Sequence, residues 1–240
     1  MTGAPTDRDP PDRDNDPEGA DGSPLGALEQ GKIELVMSLR RQGIRDKRVL
    51  NALERIPREI FINANFRKQA YEDHALPIEC GQTISQPFVV AYMTEQLQVG
   101  ERMKVLEVGT GSGYQAAVLS KLCRRVYTIE RYRTLLRDAV KRFDDLRLHN
   151  VTTKVGDGAD GWTEQAPFDR IIVTAAAPSV PQKLVDQLKP GGIMIVPVGL
   201  AGGREDQHLV RIERTDEGIK REELMPVRFV PLVEGVAKES

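Results

Sequence analysis

Three glycines alternate at positions 109, 111 and 113, with an acid two residues ahead of the first, in the run Val105-Leu106-Glu107-Val108-Gly109-Thr110-Gly111-Ser112-Gly113-Tyr114. Glycine admits positive φ and lets a ligand lie against the main chain. Such a run can bind when a strand feeds a helix whose first amides lack partners. A tight turn without a ligand is the bland alternative. A dinucleotide site calls for a third glycine at position 114, where Tyr114 stands, and Glu107 repels a pyrophosphate. The acid suits a ligand that carries an ammonium and no phosphate. S-adenosyl-L-methionine, with an α-ammonium and a sulfonium, meets both conditions.

Two further acids fall where such a ligand needs them. Glu130 follows Gly109 by 21 residues, the place where a carboxylate accepts from ribose hydroxyls in dinucleotide-type folds. Asp157, in Gly156-Asp157-Gly158, can accept from an adenine amine while Gly158 lets a backbone amide face the ring. Either acid alone reads as a solvated turn. Three acids at the ends of three successive strands point to the edge where open α/β sheets bind ligands.

The elements that must hold these residues follow from hydrophobic spacing. Short apolar runs predict strands at Lys104 to Val108, Val126 to Ile129, Val151 to Val155, Arg170 to Thr174 and Gly192 to Pro197. Between them helices are expected at Gln115 to Cys123, Thr134 to Phe143 and Val180 to Leu188. This alternation gives βαβ units and an α/β fold: a Rossmann-like, doubly wound, mostly parallel seven-stranded sheet. Gln207 to Glu213 and Pro226 to Pro231, separated by a polar stretch with Gly218, predict an antiparallel edge hairpin. Ahead of the core, Leu25 to Arg58 has helical periodicity broken at Gly43 and stopped by Pro57, which fits two short helices, and Phe61 to Gln86 reads as a long irregular loop.

Composition sets the outer limits. The 240 residues are 40% apolar and 29% charged, as in an ordinary globular protein. Residues 1–24 hold seven acids against Arg8 and Arg13, with five prolines and three glycines. That stretch cannot repay its ordering entropy and is expected to be a disordered acidic tail. Its net charge of −5 leaves +3 for the remainder of a chain whose total is −2, which gives no footing for nucleic acid. The rest, 25–240, reads as a single domain: a helical cap and loop over 25–99, a cofactor core over 100–200 and edge strands over 201–240. No run of 18 apolar residues suggests a membrane span and no apolar leader opens the chain, so a cytoplasmic location is expected. Cys80 and Cys123 read as reduced and structural, His74, His149 and His208 as isolated, and no metal site is expected. Trp162 reads as core, and Arg40, Arg41, Arg45, Lys47 and Arg48 as a solvated helix face.

Five blocks give the chain a family resemblance from about Lys32 to Leu232. They are Leu76-Pro77-Ile78 with Gly81-Gln82-Thr83-Ile84-Ser85-Gln86-Pro87, the Glu107 to Tyr114 loop, Gly156-Asp157-Gly158, Ala175-Ala176-Ala177-Pro178 with Val180-Pro181, and Leu188-Lys189-Pro190-Gly191-Gly192 leading to Val196-Pro197-Val198-Gly199. On these the sequence resembles the class I S-adenosylmethionine-dependent methyltransferases and, within them, the protein-L-isoaspartate O-methyltransferase family. The glycine loop is shared widely; the Thr-Ile-Ser-Gln-Pro and Ala-Ala-Ala-Pro blocks are far more specific. Phe88 departs from relatives that carry His there.

The resemblance implies methyl transfer to the carboxylate of L-isoaspartyl residues in damaged proteins and peptides, giving the methyl ester and S-adenosyl-L-homocysteine. It implies Ser85 as the active-site serine, orienting the substrate rather than attacking it, since no G-x-S-x-G elbow surrounds it. Read without the family, Ser85 before Pro87 is a natural helix cap. Gln82, Thr83 and Ile84 are implied to fold over the cofactor, alongside Glu107, Gly109, Thr110, Gly111, Ser112, Gly113, Glu130, Arg131, Asp157 and Gly158. Ala176, Ala177, Pro178 and Val230 are implied to line the peptide groove with backbone groups, and a monomer is expected. Three alternatives stay open: a methyltransferase acting on a small molecule, one acting on RNA, and a catalytically silent S-adenosylmethionine-binding module.

Overall fold

The computed structural model describes residues 24–199 and 207–239. The acidic tail thus lies outside the described residues, apart from Pro24. Two helices come first, α1 (Pro24–Arg41) and α2 (Lys47–Arg55). The break between them holds Gly43 at φ +108°, and Asp46 caps α2 by accepting from the Arg48 amide. The expected long loop has structure of its own. A two-residue hairpin, β1 (Leu76–Pro77) with β2 (Thr83–Ile84), sets the Gln82 to Ser85 segment ahead of α3 (Pro87–Leu97).

The core then alternates β3 (Lys104–Val108), α4 (Tyr114–Ser120), β4 (Arg125–Glu130), α5 (Arg133–Asp145), β5 (Val151–Val155), β6 (Phe168–Val173), α6 (Gln182–Val185) and β7 (Leu188–Val198). An antiparallel pair, β8 (Gln207–Thr215) and β9 (Gly218–Val227), completes a seven-stranded sheet of order β5-β4-β3-β6-β7-β8-β9. The fold is the Rossmann-like α/β arrangement expected. Its central strands bury both faces. Val105, Ile172 and Ile195 join the apolar cluster under α2, α3, α4 and α5, while Leu106, Ile171 and Met194 join the cluster under α6.

Three boundaries differ most from expectation. β9 occupies the polar stretch from Gly218, not Pro226 to Pro231, because at the sheet edge its first residues are exposed on both faces and carry no apolar alternation. β7 starts at Leu188, ahead of the glycine pair, through an irregularity in its pairing with β6. α6 is a single turn, confined between Pro181 and the early start of β7.

Chain order reverses between β3 and β6, which both pair in parallel with their neighbours. Loops leaving the two strands therefore diverge and open a crevice at their carboxyl ends. Among the described residues no helix is long and apolar enough to cross a membrane, and no group of three or more His, Cys, Asp or Glu could hold a metal.

Candidate active site

The crevice is a cleft of about 810 Å³ with the open solvent at its mouth included. One side is the glycine loop. Gly109, Gly111 and Gly113 all have positive φ, at +96°, +53° and +95°. At Gly109 a Cβ would stand 2.4 Å from Thr174 Oγ1, and at Gly113 it would meet the Phe143 ring at 2.8 Å, so at both the fold excludes a side chain. At Gly111 the nearest atom to a Cβ is Ile78 Cδ1 at 3.6 Å. That glycine's openness serves the cleft rather than the packing. The Ser112 amide and hydroxyl have no hydrogen-bond partner among the described residues, and Ser112 lines the cleft.

Glu130 ends β4 and faces this loop. Its Oε2 accepts from the Gly111 amide at 2.8 Å, and its Oε1 from the Arg131 and Tyr132 amides at 2.8 and 3.0 Å. An ionised carboxylate has roughly four lone-pair sites. With three engaged in holding the loop, about one is left for a ligand hydroxyl.

Glu107 lies elsewhere than its sequence role suggested. It shares the Val105 face of β3, is fully buried and does not line the cleft. Burial, reinforced by the charge of Glu130, pushes its carboxyl up to about 8, against the hydrogen bond from Thr128, and Oε1 is buried without a hydrogen-bond partner. At neutral pH it holds its proton. Its influence on the loop runs through Thr128, whose hydroxyl donates to Glu107 Oε2 and meets Thr110 Oγ1 at 2.6 Å.

Asp157 is likewise engaged. Oδ1 accepts from the Ala159 amide at 2.8 Å and Oδ2 from the Gly235 amide at 2.6 Å. Gly158 reaches the cleft instead, and a Cβ there would sit 2.4 Å from Val108 Cγ1. Gly235 belongs to a C-terminal strap: Arg131 Nε donates to its carbonyl at 3.2 Å, the Ala237 amide donates to Arg131 O at 3.0 Å, and Glu239 accepts from the Arg133 and Thr134 amides at the start of α5.

Gln82, Thr83, Ile84 and Ser85 form the opposing rim, brought there by the β1–β2 hairpin. The N-cap of α3 is Gln86, without a side-chain cap bond. Ser85 is therefore not a cap. Its carbonyl accepts from Arg58, and its hydroxyl has no partner among the described residues. Of the four groove residues, Val230 lines the cleft. Ala176 and Ala177 are buried, and their backbone groups are paired: Ala176 with Val230 and Leu232, Ala177 with Pro197 and Gly199. Pro178 is exposed and lies outside the cleft lining. The groove wall is thus Val230 to Val233, fastened by Ala176, and Gln207 clamps its approach by bonding both the amide and the carbonyl of Phe229 at 2.6 and 3.1 Å.

Several lining residues escaped the sequence reading: Ile129, Tyr132, Thr174 and Leu232 among them. Thr174 carried a usable signal, a hydroxyl at the carboxyl end of β6. It donates to the carbonyls of Val108 and Gly109 at 3.0 and 2.7 Å, tying the two strand ends together where the crevice opens. Trp162 packs edge-on against Tyr127, away from the cleft.

Parallel sheet, glycine cradle, strand-end acid and covering loop together define a Rossmann-like methyltransferase. Comparison with known proteins narrows the class. The family model for protein-L-isoaspartate(D-aspartate) O-methyltransferase matches residues 30–237, and the chain belongs to that family. A protein-L-isoaspartate O-methyltransferase of Parvibaculum lavamentivorans is 84% identical over 212 residues, 88% of this chain and 96% of that protein. Another, of Paramagnetospirillum magneticum, is 63% identical over 207 residues, 86% of this chain and 96% of its own. Among solved structures, a protein-L-isoaspartate O-methyltransferase superposes with a TM-score of 0.78 at 31% identity, covering 85% of this chain and 67% of that one. A Plasmodium falciparum protein assigned the same activity, in complex with S-adenosyl-L-homocysteine, gives 0.73 at 26% identity, covering 83% and 97%.

Proposed function

We infer that this cleft transfers the methyl group of S-adenosyl-L-methionine to the free α-carboxylate of L-isoaspartyl residues in damaged proteins and peptides. The observation that carries the reading is the unpaired Ser85 hydroxyl on the rim facing the glycine cradle, in a chain of this family. When bound, the cofactor supplies a methyl group on a sulfonium. The residues present fit it: an open Gly111, unpaired groups on Ser112, a spare acceptor on Glu130 and an apolar wall of Ile129 and Leu232.

An aspartyl-type carboxyl has a reference pKa near 3.9 and is ionised at neutral pH, so its lone pair is available and no general base is required. What the protein supplies is alignment and shelter, and orientation alone contributes up to about 7–11 kcal/mol in favourable cases. Ser85 donates a hydrogen bond to the acceptor carboxylate and fixes its direction. Gln82 to Ile84 and Val230 to Val233 close the two rims and exclude water. The ester formed is an activated acyl group: the neighbouring amide nitrogen attacks it, methanol leaves, and the succinimide that results hydrolyses in part to normal aspartate without further help from the protein.

A monomer in the cytoplasm, acting on proteins rather than on nucleic acid or at a membrane, completes the reading. The mild +3 balance outside the acidic N-terminal stretch supports it. The test is labelling from methyl-tritiated S-adenosyl-L-methionine of an isoaspartyl peptide and of its aspartyl twin. Labelling of the first alone is expected, and equal labelling of the two overturns the substrate. Ser85→Ala is expected to lower turnover at least tenfold while leaving the affinity for S-adenosyl-L-homocysteine within threefold.

A further inference from the structure

Behind Ser85 lies a buried cation that no step above uses. Arg58 follows Pro57 in the turn after α2 and is 0% exposed. Nε donates to the Ala70 carbonyl at 2.9 Å and Nη2 to the Ser85 carbonyl at 2.8 Å, while the guanidinium carbon lies 4.8 Å from the centre of the Tyr114 ring. Nη1 is buried without a partner, and Arg58 takes part in no salt bridge among the described residues. Arginine does not shed its proton in proteins. A chain that keeps a desolvated guanidinium on carbonyls alone tolerates a penalty that a methionine of similar length would avoid.

The contacts show what the charge is placed to do. Ser85 stands on the acceptor rim of the cleft, and Tyr114 opens α4 directly after the glycine loop; both line the cleft, on opposite sides. Arg58 is the one described side chain that bonds the first while lying on the second. Its neighbours brace the same rim. Glu59 accepts from the Tyr71 hydroxyl, and Asp73 accepts from the Phe88 amide just beyond Ser85 and from Gln42. The ring of Phe61 meets Tyr114 edge-on at 5.4 Å.

We propose that Arg58 is a positioning residue for methyl transfer, setting the height of the Ser85 hydroxyl over the cofactor cradle by holding the Ser85 peptide against Tyr114. The role rests on the methyl-transfer reading of the cleft. A planar fork is needed because two carbonyls from separate segments must be met at once while the charge sits over a ring; the point charge of lysine meets one of them.

The test is a cycle of Arg58→Lys, Ser85→Ala and the double variant, with Arg58→Gln as a second probe should the lysine variant not fold. Turnover on an isoaspartyl peptide and the Kd for S-adenosyl-L-homocysteine are measured for each. Arg58→Lys is expected to lower kcat at least tenfold in the parent and less than twofold in the Ser85→Ala background, with Kd within threefold throughout. Equal losses of kcat in both backgrounds, no loss at all, or a Kd that weakens in step with kcat overturns the proposal, because residues acting through one hydroxyl cannot add. Hydrogen exchange separates this outcome from failure of the functional reading. Should the unsubstituted protein not methylate the peptide, the amides of residues 83–86 and 88 are still expected to exchange at least tenfold faster in Arg58→Lys while those of β3 do not change. Unchanged exchange at these amides overturns the tie itself.

Discussion

Glu130 and the Gly111 amide, 2.8 Å apart, join the end of β4 to the middle of the glycine loop. The same carboxylate holds the first turn toward α5 through the Arg131 and Tyr132 amides. One acid thus shapes the cradle on one side and leads into the covering strap on the other. A residue first read as a ribose contact is at least as much the clasp of the loop.

Removing that clasp should be felt in cofactor affinity. Glu130→Ala leaves three amides without their acceptor and is expected to weaken S-adenosyl-L-homocysteine binding by roughly 1–3 kcal/mol. Glu130→Gln keeps an acceptor for one side only and should fall between. Isothermal titration of both variants checks the order, and equal affinity of Glu130→Ala and the parent contradicts it.

Glu107 should leave a mark on the pH dependence of stability. Its folded pKa of about 8 lies above the ordinary 4.5. Below pH 4.5 both states hold the proton. As pH rises from about 4.5 to 8, the unfolded chain releases a proton the folded chain retains, so stability declines by up to about 1.4 kcal/mol per unit. Glu107→Gln, which mimics the protonated form, should therefore gain on the parent steadily between pH 5 and pH 8. Urea midpoints at pH 5, 6, 7 and 8 read the gap, and a gap that does not widen removes the buried neutral acid.

The loop glycines should separate by function. Gly109→Ala drives a Cβ into the Thr174 hydroxyl at 2.4 Å on a left-handed backbone, and a loss of roughly 2–4 kcal/mol of stability is expected. Gly111→Ala meets only ordinary contact and costs about 1 kcal/mol for its φ of +53°. Its larger effect should appear in cofactor binding, since the added methyl enters the cleft. Thermal melts with and without S-adenosyl-L-homocysteine distinguish the two.

Asp157→Ala should free the strap. With the Gly235 amide unpaired, residues 233–239 are expected to become cleavable by a nonspecific protease under native conditions, and cofactor affinity to fall by about 1–3 kcal/mol. A strap that stays protected would show that Arg131 and Glu239 hold it unaided.

Much of this was legible in the sequence because it depends on local pattern. The bounds of β3 came directly from a run buried on both faces, those of β5 from a short β-branched run that is half-buried throughout, and the glycine loop from spacing alone. β9 hid because an exposed edge strand has no reason to alternate. Arg58 hid for a different reason: between Pro57 and Glu59 an arginine looks solvated, and only the fold brings Ala70, Ser85 and Tyr114 around it. The bond from the Gly235 amide to the Asp157 carboxylate, 78 residues away, is beyond any motif. The charge argument for Glu107 pointed to a loop that lines the cleft, yet the carboxyl itself is turned beneath the loop, because alternation along β3 aims it at α4 rather than at the crevice.

The wall from Val230 to Val233 is made long after the loop it faces. A nascent chain on the ribosome can therefore fold its glycine cradle and central strands while the crevice is still a shallow, open shelf. The crevice gains that wall only when the late segment threads back to Ala176. Until then the growing polypeptide has a scaffold whose crevice lacks one side.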